Sequence, residues 1–264
     1  MARNIMHSLF SPSSLLVPPS SIHPSLTCLY NHQHHRVHLS SRFQSLPSLK
    51  CSSESNEGTV AVLNIEDIVE KDWSFLDIDN LNSLEEQTHK SNRIISAADI
   101  KDTSRVLVSI GTEDFVDRLV ESSPCQLLLV VHDSLFSLAM IKEKYDNVKC
   151  WQGEIIYVPD KWVPFDVVFL TCLPAVPFQL NQIFGALAER CLPGAKVIIS
   201  HTQGRGVVEQ QRKAFPDVVT SDLPDKPTLE KVASDNYFYL TEFLDEPGFY
   251  LAVLKFCGKG LPTR

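Results

Sequence analysis

Between residues 105 and 256, short apolar runs alternate with segments of helical period, and this alternation constrains the fold more than any other feature. Residues 105–110 (Arg-Val-Leu-Val-Ser-Ile) form a β-branched run that ends at Gly111, the pattern of a buried strand. Thr112 then predicts an N-cap, with Glu113 and Asp114 in the first turn of a helix through Glu121 whose inner face carries Phe115, Val116, Leu119 and Val120. Residues 125–131 read as a second strand. A helix capped by Asp133 or Ser134 follows, and 148–151 is a third strand. Residues 165–170 make a fourth, and Leu180, Ile183, Phe184, Leu187 and Ala188 place a helical stripe behind it. Cys191-Leu192-Pro193-Gly194 stops that helix before a fifth strand at 195–200. Strands apolar on both faces, separated by helices, imply a parallel sheet covered on both sides.

The end of the chain breaks this rhythm. After a polar stretch from Thr202 to Pro227 and a helix near 228–233, two strands at 238–243 and 249–256 are separated only by a turn at 244–248. Strands joined that closely must pair antiparallel. The expected architecture is therefore α/β, a mostly parallel seven-stranded sheet with a C-terminal antiparallel hairpin.

Composition narrows the function classes. The formal charge is −8 over 264 residues, so DNA binding through a general basic surface is not expected. No run of 18 apolar residues occurs that could span a membrane. The seven cysteines form no CxxC pair, and neither a disulfide framework nor a zinc site is readable. A dinucleotide-binding oxidoreductase fails on the missing G-x-G-x-x-G.

Charge is also unevenly spread. Residues 1–53 hold Arg3, Arg36, Arg42 and Lys50 and no acid, with thirteen Ser, five Pro and six of the nine His. A basic, Ser-rich, acid-free segment without folding period has the composition of an organelle transit peptide. Its prolines and interrupted apolar runs favour import into the chloroplast stroma over a secretory signal or a mitochondrial presequence. Expected boundaries are a transit peptide at 1–51, an N-terminal helical extension at 52–100, the sheet domain at 101–257 and a short tail at 258–264. The extension includes Ile65–Val69 and the aromatic stretch from Trp73.

Gly153-Glu154, the start of the fourth strand at Phe165-Asp166-Val167-Val168, and Leu192-Pro193-Gly194 stand at a distinctive spacing. This set resembles the class I S-adenosylmethionine-dependent methyltransferase superfamily over about residues 100–256, as a plant plastid-targeted member with a degenerate glycine motif. The resemblance implies a Rossmann-like sandwich, S-adenosylmethionine as cofactor, and a methyl acceptor or a plastid protein as partner. It implies a cofactor site of Ser109 and Gly111 after the first strand, Asp133 after the second, Gly153 and Glu154 after the third, and Thr171 after the fourth. Ser109 stands where the family carries an acid, and only Gly111 remains of the glycine series. Glu113 and Asp114 add charge beside the expected methionyl carboxylate. Two unit charges about 4 Å apart repel by about 4 kcal/mol at an effective dielectric of 20.

Several residues keep two readings at this point. Asp133 either accepts from ribose hydroxyls or caps a helix, and Glu154 either meets the adenine amine or is a solvated turn acid. Cys172 either lines the pocket or packs. His132 and His201 lie at the same rim, as general bases or as ordinary strand-end histidines. Asp166 begins its strand far from that rim and reads as structural. No catalytic residue is assigned. A catalytically inactive binding or assembly module of the same fold is the competing expectation, because fold does not fix function.

Overall fold

The structure, a computed structural model, describes residues 70–76 and 84–259; the expected transit peptide, residues 65–69 and the last five residues lie outside this range. A seven-stranded sheet has the order β3-β2-β1-β4-β5-β7-β6. Its strands are β1 Arg105–Ser109, β2 Leu127–His132, β3 Lys149–Gln152, β4 Phe165–Leu170, β5 Cys191–His201, β6 Phe238–Glu246 and β7 Phe249–Phe256. The first five run parallel, and β7 pairs antiparallel with both β5 and β6. The expected α/β architecture, with its closing antiparallel pair, is the observed one. The turn is tighter than expected: Glu246 pairs with Phe249, leaving only Pro247 and Gly248 between the strands.

Among the described residues six α-helices cover the sheet: α1 Leu84–Ala98, α2 Glu113–Ser122, α3 Leu135–Lys144, α4 Leu180–Arg190, α5 Gly204–Ala214 and α6 Lys226–Asp235. The strands divide their side chains between two cores with period two, as a pleated sheet requires. Leu107, Val168 and Val197 join Ile183, Phe184 and Leu229 on one face. Val106, Val108, Phe169 and Ile198 join Ile94, Phe115 and Leu138 on the other. Asp166 serves the sheet, accepting the Arg105 backbone N–H at 2.9 Å. Among the described residues no helix is long and apolar enough to cross a membrane.

Helix α5 was not legible as a helix, and it is seated by one glycine. Gly204 has φ +72°, and an added Cβ would lie 2.8 Å from the Phe249 N and 3.0 Å from the Gly248 N. Both obstacles are backbone of the β6–β7 turn, so they cannot rotate away. Gly204→Ala is expected to cost about 2–4 kcal/mol, from left-handed strain plus overpacking. Urea unfolding of the variant checks this.

Candidate functional site

The order of strands reverses between β1 and β4, so the carboxyl ends of these two strands flank the crevice where ligands of such sheets bind. The loop leaving β1 is built there. Ile110 takes φ +58°, a costly conformation for a β-branched residue. It is held from both sides: its N–H donates to Val131 O at 2.9 Å, and its carbonyl accepts the Thr171 hydroxyl at 2.7 Å. Thr171 also lies 3.1 Å from the Ser109 carbonyl through the same hydroxyl. Gly111 packs so closely that a Cβ would sit 2.6 Å from Val108 Cγ1. Thr112 caps α2 as expected, its hydroxyl accepting the Phe115 N–H.

Above this loop is a cavity of ≈ 330 Å³. The first turn of α2 borders it with Thr112, Glu113, Asp114 and Phe115, and Arg118 follows one turn on. The far side is formed by Thr171 and Cys172 after β4 and by Ser200 and His201 at the end of β5; α1 and α5 complete it. The expected repulsion at this loop is reduced by a partner from α3. Glu113 pairs with Lys144 at 3.0 Å, and Lys144 also bonds Asp117. Those two carboxylates raise the Lys144 pKa and keep it charged. Asp114 in the first turn of α2 and Arg118 one turn on remain at the cavity as opposite charges, a setting suited to an amino-acid zwitterion.

The other half of the expected site is occupied by the chain itself. Asp133 is not the cap of α3; Ser134 is, accepting the Ser137 N–H. Asp133 instead pairs with Lys71 at 2.6 Å, both side chains 37% exposed. Glu70 accepts the Phe136 N–H at 3.0 Å and lies within 3.3 Å of the Ser134 hydroxyl, placing its carboxylate at the positive end of α3. Trp73 meets His132 edge-on, ring centroids 4.6 Å apart. Phe75 is buried against Phe215, just after α5. Residues 70–76 therefore form a strap over the end of β2 and the start of α3, and Phe75 and Leu76 reach the cavity.

Glu154 belongs to the same corner as Asp133. Burial raises its pKa, partly opposed by Lys71 and reinforced by Asp133. Gly153 has φ +144° and lies under the Trp151 ring, 2.8 Å from an added Cβ to the nearest ring carbon. The six expected cofactor residues thus divide into two groups. Asp133, Gly153 and Glu154 gather at the strapped corner. Ser109, Gly111 and Thr171 build the β1 loop, and of these only Thr171 lines the cavity.

Both rim histidines are buried. His132 Nδ1 accepts the Ser134 N–H at 2.9 Å, so the neutral ring carries its proton on Nε2. Burial lowers its pKa to about 4 despite nearby Asp133 and Glu70. His201 is 7% exposed, and burial lowers its pKa to about 4 as well, with Gln211 pulling the other way. Cys191 is buried in the sheet and its pKa is pushed up to about 12, which leaves an unreactive thiol. Cys172 is buried and lines the cavity. Sequence reasoning missed the strap and Gln211. Only Trp73 and its aromatic neighbours hinted at the strap, and nothing in the polar 202–227 stretch singled out Gln211. No cluster of three metal-ligating side chains occurs among the described residues.

The sequence matches no protein-family model and no curated protein. Solved structures do share its architecture. A chain of the complex between the Haloferax volcanii Trm112 methyltransferase activator and a methyltransferase superimposes with a TM-score of 0.58 at 10% identity. That match covers 72% of this chain and 100% of the other. The N-methyltransferase NodS of Bradyrhizobium japonicum WM9, in complex with S-adenosyl-L-homocysteine, gives 0.51 at 9% identity, covering 67% and 90%. An S-adenosylmethionine-dependent methyltransferase of Mesorhizobium loti gives 0.50 at 12% identity, covering 62% and 96%. At such identities the likeness establishes architecture alone: the chain has the Rossmann-like fold of class I methyltransferases.

Proposed function

We propose that this is an S-adenosylmethionine-dependent methyltransferase-like protein of the chloroplast stroma. The observation that carries the reading is the cavity at the β1–β4 switch point, bordered by the α2 N-terminus. Its residues suit the methionyl part of the cofactor: the α2 amides and Arg118 for the carboxylate, Asp114 for the ammonium group. The nucleoside part fits only once the strap leaves, because Lys71 engages Asp133 and Trp73 covers His132. When bound, the cofactor supplies an electrophilic methyl group, and transfer then depends chiefly on holding the acceptor in line. The acid-free, Ser-rich first 53 residues support plastid import.

A second reading has its own observation. The strap already satisfies the acid that would bind ribose, which favours a non-catalytic binding or assembly module. Calorimetric titration with S-adenosylmethionine and S-adenosylhomocysteine separates the two. The cofactor reading expects micromolar binding that Asp133→Ala weakens at least tenfold. Absence of heat and of thermal stabilisation at millimolar ligand, in the wild type and in Lys71→Ala/Trp73→Ala, would leave the non-catalytic module.

A further inference from the structure

A second cavity, of ≈ 360 Å³, shares no lining residue with the first. The loop after β4 serves both: Thr171 and Cys172 line the first cavity, and Leu173 lines the second. Hydrogen bonds hold the second cavity's walls. Pro174 O accepts the N–H groups of Thr220 at 2.9 Å and Ser221 at 3.2 Å, which ties the segment before α6 to that loop. The first turn of α4 adds Leu180 and Ile183.

The charged side chains that line this cavity are spent within the fold. Arg205 donates to Asp245 at 2.6 Å and to the carbonyls of Leu223 and Pro224. Asp222 pairs with Arg212. Asp225 caps α6, accepting the Thr228 N–H at 2.9 Å. A charged ligand would have to break one of these pairings or lie in the cavity without a counter-charge of its own. What remains open is apolar or neutral. Leu173 and Leu223 are buried walls, and Phe178 is half-buried, edge-on to the exposed Tyr157 ring with centroids 5.9 Å apart. Two aromatic rings held at the surface beside a cavity offer a contact face to a flat apolar body. Ser221 supplies a neutral polar group, its hydroxyl donating to Pro174 O at 3.4 Å and keeping its lone pairs to accept.

We propose that this second cavity binds an uncharged compound with a flat apolar body, and that this compound is the methyl acceptor. Naming it as the acceptor rests on the cofactor reading above; the site and its preference for an uncharged ligand do not.

The test uses the full chain at pH 7.5 and three probes of one carbon body: 2-naphthylmethanol, 2-naphthylmethylamine and 2-naphthoate. The alcohol is expected to bind at least tenfold more tightly than the ammonium or the carboxylate, which must give up hydration without gaining a partner. Phe178→Ala and Leu180→Asp should each weaken the alcohol about tenfold, the first by removing the ring face and the second by placing a charge in the cavity. Asp is well tolerated in the first turn of a helix. Should Leu180→Asp nevertheless fail to fold, Phe178→Ala and the probe series on the wild type decide. Equal binding of the three probes, tighter binding of a charged one, no binding of any, or unchanged alcohol affinity in the folded variants would overturn the site. S-adenosylhomocysteine is titrated into the same wild-type sample. If it binds while the alcohol shows no preference, the second site alone is wrong. If the alcohol is preferred and S-adenosylhomocysteine does not bind, the site stands and the cofactor reading fails.

Discussion

Replacing Lys71 and Trp73 together by alanine is expected to tighten S-adenosylhomocysteine binding at least tenfold. A nucleoside approaching Asp133 must first displace the strap, and its observed affinity is lowered by whatever free energy holds the strap down. Trp73 supplies a large part of that free energy where the strap crosses His132 and Asp133, and Phe75 adds its own burial further on. A buried Trp removes roughly 150–250 Å² from water, about 4–6 kcal/mol at ~25 cal/mol per Å² as an upper bound. The Lys71–Asp133 pair is partly solvated, and exposed pairs contribute about 0–1 kcal/mol. Trp73→Ala alone should therefore give most of the gain, and Lys71→Ala no more than severalfold. Each 1.4 kcal/mol of released restraint is about tenfold in affinity. Calorimetry on the two single variants and the double variant checks the order. An unchanged or weaker affinity in Trp73→Ala would show that the strap does not compete with the ligand.

Acidification should destabilise the fold well above the range in which carboxylates titrate. His132 and His201 are both held near pKa 4 by burial, against about 6.5 in an unfolded chain. The unfolded state therefore binds more protons between these values, and stability falls as pH drops. The stabilisation is complete above pH 6.5, declines through the window from 6.5 to 4, and is lost below it. At pH 5 the expected loss is about 2 kcal/mol for each histidine. For His132, protonation also destroys the acceptor used by the Ser134 N–H. Urea unfolding at pH 7.5 and 5 measures the effect. His132→Asn and His201→Asn should each remove about half of the difference between the two pH values, and equal pH dependence in wild type and variants would contradict the assignment.

The strands were legible because a buried parallel strand needs apolar residues on both faces, and Val106–Val108 or Val167–Leu170 allow little else. The cap of α2 was equally plain, since Thr112 precedes two acids and a helical stripe. Helix α5 was hidden by its own inner face. Gly204, Val208 and Gln211 have helical spacing, but one glycine and one amide make a poor hydrophobic stripe, and Gly206 lowers the propensity further. The choice between Asp133 and Ser134 as cap turned on a single residue: β2 runs through His132 and leaves Ser134 at the joint.

Charge partners were the least legible part of the site. Lys71 meets Asp133 across 62 positions, and Lys144 meets Glu113 across 31, with no local pattern announcing either pair. The charge that Glu113 and Asp114 add beside the loop is plain from their position; the partner that compensates Glu113 comes from the far end of α3. The strap posed the same difficulty. Its residues make their contacts with β2, α3 and Phe215, elements that only the tertiary structure brings near.

Amide hydrogen exchange of the full chain with and without saturating S-adenosylhomocysteine shows whether the ligand and the strap compete for one corner of the sheet. Exchange is expected to quicken over residues 70–76 as the strap is displaced, and to slow over 112–115 as the α2 N-terminus engages the ligand. Unaltered exchange in both segments at millimolar ligand, or binding that leaves the strap protected, would contradict it.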